Sequence, residues 1–214
     1  MQGLPIQQYR ALQKIGDNMQ FTESMIFIRE DFATFWRDEG ITIKQGWRKH
    51  RDISKQLHYN TNLIDKCEER FGVYVWAPEF ANVHATFPFK EKPFVIDGIE
   101  WPHSEGYYQA MKAFGTNDWE FAKREIQKRD PMDSWSLGQT VSLRRDWEEV
   151  KADIMMRALR EKFKDPYLRS LLISTDGYPL VQLKHCSYWG SGLDGKGENK
   201  LGELLQQLRD EIKK

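Results

Sequence analysis

The chain has 214 residues, and its 32 basic residues equal its 32 acidic ones, so its formal net charge is zero. With 40% hydrophobic and 13% aromatic residues, the composition excludes an intrinsically disordered class, and the length allows one large domain or an ordinary domain with an extension. The balanced charge also excludes a global attraction to nucleic acid, so any contact with a polyanion requires a local basic patch.

Cysteine and histidine are too few and too dispersed for a disulfide framework or a metal site. The two cysteines are Cys67 and Cys186, and the five histidines show no ligand spacing. We therefore expect reduced thiols and no metal or redox cofactor. The N-terminus lacks the apolar core of a signal peptide, and no segment approaches the roughly 20 apolar residues of a membrane span. These features predict an intracellular, cytoplasmic protein without membrane contact.

Residues 1–70 are predicted to form a helical N-terminal extension whose role the sequence does not assign. Apolar residues recur there at helical spacing in two short segments. The most basic stretch of the chain follows at Lys44–Lys55, with Trp47 within it. One interpretation of this stretch is a solvated helix face. The other is a phosphate-contacting patch with one stacking aromatic, through which the protein would contact nucleic acid.

Residues 71–214 are predicted to form the main domain, in which a few short strands stand among many helices. The pattern indicates a strand at 72–76, then a hairpin of 93–96 with 99–101 through Asp97-Gly98. Four helices are predicted at 118–128, 131–138, 146–163 and 165–173, and a strand at 180–183 precedes a glycine-rich loop and a last helix. This arrangement is typical of a compact, mainly helical α+β domain.

The segment 101–114, WPHSEGYYQAMKAF, carries an acid, a base and several aromatic residues on one predicted amphipathic helix. Ser104 is the expected N-cap, so Glu105 falls in the first turn, where the helix dipole favours a carboxylate. Helical spacing places Glu105, Tyr108 and Lys112 on one face, together with Gln109. Two interpretations follow: a solvated Glu–Lys pair on an ordinary surface helix, or the acid and base of an active site.

The loop at 188–197, YWGSGLDGKG, is the second candidate binding segment. Its four glycines would let the backbone approach a ligand, and the start of the last helix would offer N–H groups to a phosphate. The spacing from Gly190 to Lys196 matches a P-loop, but Gly197 stands where a Ser or Thr is needed and no βαβ unit surrounds it, so we reject an NTPase. A tight turn without a ligand is the alternative.

Two tryptophans are placed where they could stack on a flat base. Trp189 adjoins the glycine-rich loop, and Trp147 begins a predicted helix beside Arg144 and Arg145. Aromatic rings, guanidinium groups and free amides together are what a nucleotide-like ligand requires.

Three segments together resemble the signature blocks of the NADAR family, the family of the YbiA-type N-glycosidases. They are WPHSEGYYQAMKAF, LRRDWEEVKADIMMRAL and YWGSGLDGKGENKLGELLQQLR, in this order, and the resemblance covers residues 71–212. It implies a compact α+β NADAR/YbiA-like fold that hydrolyses the bond between a ribose and a nitrogen base. The implied substrate is ADP-ribosylated guanine in a nucleotide or in nucleic acid. The alternatives are phosphorylated intermediates of riboflavin synthesis, or binding of ADP-ribose or a nucleotide without catalysis.

The resemblance also assigns roles to single residues. Glu105 matches the catalytic glutamate and Lys112 the lysine of the same helix, which would neutralise phosphate, protonate the leaving base or attack C1′. The family's Phe-Ser-Asn-Phe pattern is Phe80-Ala81-Asn82-Val83 here, and Gly106 stands in place of a histidine. The predicted substrate-binding residues are Asn82, Trp101, Tyr108, Trp147, Trp189, Gly190, Gly192, Asp194, Gly195, Gly197 and Asn199.

Overall fold

The computed structural model describes residues 61–214, apart from positions 73, 77, 83–90 and 185. The helices predicted before residue 60 and the basic stretch Lys44–Lys55 therefore lie outside the described residues. Within the described part, the chain forms seven α-helices, one 3-10 turn and one two-stranded sheet. The predicted α+β class, mainly helical with a few short strands, is confirmed.

The elements are numbered in chain order. They are α1 (Thr61–Phe71), the 3-10 turn (Pro78–Phe80), β1 (Phe94–Ile96), β2 (Ile99–Trp101), α2 (Ser104–Met111), α3 (Trp119–Ile126), α4 (Pro131–Leu137), α5 (Trp147–Lys162), α6 (Pro166–Ser174) and α7 (Lys200–Ile212). The four helices predicted between 118 and 173 are each found within two residues of their predicted bounds.

The chain divides into two compact units, and the described residues of the first are 61–78 and 174–203. Its hydrophobic core contains Leu63, Cys67, Tyr74 and Val181. The strands predicted at 72–76 and 180–183 are wrong, because the structure has a single parallel bridge there, between Val75 and Leu180. At 180–183 the reason is that the backbone forms hydrogen bonds with a side chain and not with a second strand. The Asn199 side chain accepts from the Gln182 N–H at 3.0 Å and donates to the Leu180 carbonyl at 2.8 Å, so a side chain takes the place of a neighbouring strand.

The second unit contains Glu79–Ile173 and Leu204–Lys214. Its hairpin is confirmed, with β1 and β2 antiparallel in the register Phe94 to Trp101. Asp97 (φ 52°) and Gly98 (φ 75°) both take the left-handed conformation that a two-residue hairpin turn requires. The hairpin leads directly into α2, which packs against α3, α4, α5 and β2. Every residue of α2 is buried, so the helix is the centre of this unit.

The described residues contain neither a membrane-spanning helix nor a metal-binding cluster. No helix among them is long and apolar enough to cross a membrane. In the same part of the chain, no group of three His, Cys, Asp or Glu side chains is placed to hold a metal ion.

Candidate active site

The start of α2 places Glu105, and it differs from the prediction. His103 is the N-cap: its Nδ1 accepts from the Gly106 N–H at 2.8 Å. Its Nε2 lies 3.0 Å from the Arg129 carbonyl, and these two partners together require the proton on Nε2. The prediction that Ser104 is the N-cap is therefore wrong. The Ser104 N–H and hydroxyl instead donate to the Glu91 carboxylate, at 2.6 and 2.7 Å, a partner that local sequence could not indicate.

Gly106 is explained by the same arrangement. A Cβ at this position would lie 2.9 Å from Cγ2 of Ile126 and 3.0 Å from Cε1 of His103. Such distances leave no room for a side chain unless the capping imidazole moves. The chain therefore has a packing reason for glycine where the family has a histidine.

Glu105 is buried within α2, with 3% of its surface exposed. The Gln109 side chain, four residues later on the same face, donates to its Oε1 at 2.6 Å. A hydrogen bond to a carboxylate is stronger than one between neutral groups and fixes its orientation. Glu105 is thus not part of a solvated surface pair, which removes the first interpretation of the helix.

Lys112 follows the last turn of α2 and is largely shielded from solvent. Its Nζ donates to the Gly138 carbonyl at 3.1 Å and lies 5.9 Å from the centroid of the Trp147 ring. Burial lowers the pKa of Lys112 below its ordinary value, because burial disfavours the charged ammonium, while the Glu105 carboxylate partly opposes this change. A larger fraction of this amine is therefore neutral near physiological pH than of an exposed lysine.

The aromatic residues near the pair fall into two groups. Tyr108 and Trp147 contact each other, with ring centroids 5.0 Å apart. Trp101 is 1% exposed, and its ring packs at 5.4 Å from Tyr107 and 6.4 Å from Trp119. The first group adjoins Lys112, whereas Trp101 belongs to the apolar packing between β2 and α3.

Asn82 lies just after the 3-10 turn and is also buried. Its Nδ2 donates to the sulfur of Met155 at 2.7 Å, whereas its Oδ1 is buried and has no partner within the described part of the chain. An unpaired buried acceptor is costly in a native protein. The oxygen is therefore suited to receive a donor from a ligand.

Glu79, three residues before Asn82, is a buried acid that the sequence analysis missed. Tyr167 donates to its Oε1 at 3.3 Å, and no described residue forms a hydrogen bond with its Oε2. Burial raises the pKa of Glu79 to about 7, more than Tyr167 and Lys162 lower it. No sequence signal distinguishes this glutamate from a surface one.

The glycine-rich loop belongs to the first unit, and its own geometry accounts for its glycines. Gly192 and Gly195 have positive φ values of 68° and 77°, which side chains other than glycine rarely adopt. A Cβ on Gly197 would lie 2.4 Å from the Gly190 carbonyl oxygen. The tight-turn alternative thus explains these residues without a ligand, and the phosphate-binding role of the loop stays a prediction.

One side chain from α1 binds this loop. The Arg70 guanidinium donates to the carbonyls of Gly195 at 3.2 Å and Gly197 at 2.7 Å. A guanidinium is well suited to hold two carbonyls at once because it offers several N–H donors in a fixed plane. Arg70 was not predicted, because nothing in the sequence relates it to a loop 125 residues away.

The remaining predicted residues also lie in the first unit. Asp194 accepts from the Lys196 N–H at 3.0 Å, which closes a turn inside the loop. Asn199 uses both polar atoms of its side chain on the backbone at 180–182. The Trp189 ring contacts Tyr188, with centroids 4.7 Å apart. The contacts described so far therefore connect Glu105, Tyr108, Lys112 and Trp147 in the second unit, and the loop residues among themselves in the first.

A protein-family model and several known proteins match the described part of the chain. The model of the NADAR domain matches residues 74–213. N-glycosidase YbiA of Escherichia coli (strain K12) is 40% identical over 129 residues, which cover 58% of this chain and 78% of that protein. Riboflavin biosynthesis protein PYRR, chloroplastic, of Zea mays is 39% identical over 168 residues, or 72% of this chain and 26% of that protein. Riboflavin biosynthesis protein VVA0006 of Vibrio vulnificus is 31% identical over 166 residues, or 75% and 43%.

A solved structure extends the similarity to the fold. The NMR structure of the E. coli protein YbiA is 37% identical to this chain, with a TM-score of 0.53 and coverage of 63% of this chain and 77% of that one. The family model spans more than half of the sequence and includes α2 and the glycine-rich loop. The chain therefore belongs to the NADAR domain family.

Proposed function

We propose that this protein is an N-glycosidase that hydrolyses the bond between a ribose and a nitrogen base, and that it removes ADP-ribose from ADP-ribosylated guanine. The observation that carries the proposal is the pair of Glu105, in α2, and Lys112, directly after α2. The carboxylate is buried and hydrogen-bonded at 2.6 Å, and burial lowers the pKa of the amine. The similarity to a protein named N-glycosidase YbiA supports the reaction type.

Glu105 is suited to the charge that develops when a glycosidic bond breaks. Positive charge grows on the ribose as the C1′–N bond lengthens, and a fixed carboxylate can stabilise it or take a proton from the attacking group. General acid–base assistance of this kind contributes about 10² to 10⁴ in rate.

Lys112 has three chemically possible roles, and its surroundings favour one of them. Neutralising a phosphate uses the charged ammonium, the form of Lys112 that burial disfavours. Burial favours the neutral amine, which is the nucleophilic form. We therefore assign Lys112 to attack on C1′: the base leaves with the electrons of the C1′–N bond, the ribose ring opens to a Schiff base, and water then releases ADP-ribose and restores the amine.

The remaining predicted residues are assigned by their positions. Trp147 lies near the amine and Tyr108 contacts Trp147, and both are proposed to stack on the base. The Asn82 oxygen, which has no partner among the described residues, is proposed to accept from a substrate donor. Trp189 and the four loop glycines are kept as proposed ADP-ribose contacts. Trp101 is left out, because its ring is packed among other aromatics. Contact of Lys44–Lys55 with nucleic acid and a cytoplasmic location stay predictions.

A second candidate substrate is a phosphorylated intermediate of riboflavin synthesis. It is favoured by the similarity to two proteins named for riboflavin biosynthesis, each of which aligns with more than 70% of this chain. The same reaction would apply, because such an intermediate also joins a ribose to a nitrogen base. This chain spans less than half of either protein, so their activity comes to it only as a proposal.

One experiment separates these substrates from simple binding. The purified protein is incubated with ADP-ribosylated guanosine, with ADP-ribosylated DNA and with the phosphorylated riboflavin intermediate. The released sugar, ADP-ribose from the first two and ribose phosphate from the third, is measured by mass spectrometry. We expect release from the first two, and its loss in Glu105→Gln, which removes the charge and keeps the shape. Release from the riboflavin intermediate alone would replace the proposed substrate. Binding of ADP-ribose without release from any of the three would contradict the enzyme assignment.

A further inference from the structure

Gln109 makes a contact that connects Glu105 to a third element of the second unit. Its Nε2 donates to Glu105 Oε1 at 2.6 Å, and its carboxamide lies against Gly138, which follows the end of α4. A Cβ on Gly138 would fall 1.8 Å from Gln109 Oε1 and 2.6 Å from Cδ. Non-bonded atoms do not approach so closely. The Gln109 amide therefore occupies the space that the side chain of any other residue at 138 would need.

Gly138 also holds Lys112. Its carbonyl accepts from Lys112 Nζ at 3.1 Å, and the backbone conformation at Gly138 is ordinary, with φ −64° and ψ −9°. The position therefore does not need glycine for its backbone angles. It needs glycine because the Gln109 amide lies on its Cα, while its carbonyl binds the amine of the proposed reaction.

The cost of this arrangement indicates that folding alone does not explain it. Gln109 is 3% exposed, and its Oε1 is buried with no hydrogen-bond partner among the residues that the structure describes. A buried carbonyl oxygen without a donor disfavours the folded state, and such groups in native proteins require an explanation. An apolar side chain of the same length would fill the space without that cost.

We propose that Gln109 is a positioning residue that fixes the Glu105 carboxylate for the reaction, and that Gly138 is the residue that gives it room while binding Lys112. This inference rests on the proposed function, because it concerns the acid and the base of that reaction. The carboxylate and the amine thus both depend on Gly138 at the end of α4: the carboxylate through Gln109, and the amine through the Gly138 carbonyl. Moving that support would move both groups.

The first test replaces Gln109 by Met, which keeps the length of the side chain and removes the donor. We expect kcat to fall about tenfold to a hundredfold, as for a small displacement of a catalytic group, with little change in KM. The acid limb of the pH profile of kcat contains the ionisations of both Glu105 and Lys112. Its Glu105 component should move to higher pH, because a carboxylate that loses a donor takes up its proton more readily. Gln139→Met, on an exposed glutamine near the end of α4, is the matched control and should leave the profile unchanged.

The second test uses the charge at position 109. In Gln109→Glu two carboxyl groups lie at hydrogen-bond distance and share one proton at low pH, when the protonated group can replace the amide donor. This variant should keep part of its activity at acid pH, where the shared proton is present. It should lose that activity when the shared proton leaves, which adds an alkaline limb to its pH profile of kcat.

A third variant, Gly138→Ala, should resemble Gln109→Met if it folds. A merely structural role for Gln109 would lower the amount of folded protein in these variants without altering either limb.

A readout that does not need turnover separates this inference from the proposed function. In protein labelled with ¹³C at the glutamate carboxyls, the Glu105 signal is identified by its absence in Glu105→Gln. We expect its titration midpoint to be higher in Gln109→Met than in the wild type, and equal in Gln139→Met. Equal midpoints in all three proteins would overturn the positioning role, even if the wild type is an active glycosidase. A shifted midpoint in a protein that hydrolyses none of the substrates would keep the contact and refute the proposed function.

Discussion

The Lys162 ammonium lies 3.3 Å from the Glu91 carboxylate in the interior of the second unit, with side-chain exposures of 2% and 10%. The same carboxylate accepts both hydrogen bonds from Ser104, the first residue of α2. Lys162 Nζ also donates to the Ala81 carbonyl at 2.8 Å. The end of α5 and the start of α2 are thus joined through one buried carboxylate, directly before Glu105.

Lys162→Met is expected to be strongly destabilising, because it leaves the Glu91 charge buried without its cation. Breaking a buried ion pair by removing one partner costs about 3 to 5 kcal/mol, which urea unfolding would measure. Lys164→Met removes an exposed pair with Glu161 and should cost less than about 1 kcal/mol. The double variant Lys162→Met, Glu91→Gln should recover part of the loss. No recovery would show that the unpaired charge is not the cause.

Glu79 should give the stability of the protein a pH dependence of its own. Burial raises its pKa from 4.5 to about 7, so between these values the folded protein holds a proton that the unfolded chain releases. The resulting stabilisation is fully present below pH 4.5 and is lost as the pH rises through about 7. Its size is about 3 kcal/mol, from about 1.4 kcal/mol for each pKa unit.

Glu79→Gln keeps the shape of the side chain and removes this titration. We expect the variant and the wild type to have similar unfolding free energies at about pH 4.5, and the variant to be the more stable at about pH 8. Urea unfolding at the two pH values measures both differences, and comparison of the two proteins cancels the other titrating groups. The same difference at both pH values would contradict the raised pKa.

Lys112 and Glu105 should be coupled in their titration. The carboxylate partly opposes the effect of burial on Lys112, so removing its charge in Glu105→Gln should lower the pKa of Lys112 further. The measurement is an NMR titration of protein carrying ¹³C-methyl groups on its lysines, with Lys112→Arg to identify the signal. An unchanged or higher pKa of Lys112 in Glu105→Gln would show that the two groups do not interact.

The assignment of Lys112 as nucleophile predicts a covalent intermediate. Borohydride added during turnover of ADP-ribosylated guanosine should reduce the Schiff base and leave ADP-ribose attached to Lys112, which peptide mass spectrometry would locate. Lys112→Arg should give no adduct, because a guanidinium does not form this bond at ordinary pH. Turnover without an adduct in the wild type would instead indicate that the amine acts as an acid or binds a phosphate.

What the sequence predicted well depends on neighbours along the chain. The hairpin was predicted because Asp97-Gly98 alone supplies the turn, and the helix bounds followed from periodicity, Asp130-Pro131 and Asp165-Pro166. Glu105 and Lys112 were placed on one helix by their spacing. These predictions needed no knowledge of what packs against the element.

What the sequence did not predict depends on partners from distant segments. Ser104 is a good local N-cap, but Glu91 takes both of its donors and His103 caps the helix instead. The strand pattern at 180–183 was overridden because Asn199 pairs with its backbone. The support of Glu105 and Lys112 by Gly138 likewise appears only when α4 lies beside α2.

A contact of Arg70 crosses the boundary proposed between an extension at 1–70 and the main domain at 71–214. Its guanidinium holds two carbonyls of the glycine-rich loop, and a hydrogen bond from a charged group contributes about 1.5 to 3 kcal/mol. If the loop binds ADP-ribose, Arg70→Met should weaken that binding about tenfold by calorimetry. Glu69→Gln, on the same helix and exposed, is the matched control and should bind as the wild type does.

The same contact determines how the N-terminal segment should be tested. A deletion of 1–70 removes Arg70 and would confuse loss of the extension with loss of loop support, whereas a deletion ending at residue 60 keeps α1 whole. If Lys44–Lys55 recruits nucleic acid, the shorter deletion should slow release from ADP-ribosylated DNA, most clearly at low salt, and spare the modified guanosine. Equal losses on both substrates would show that the segment supports the domain itself, and unchanged rates on both would remove the proposed nucleic-acid contact.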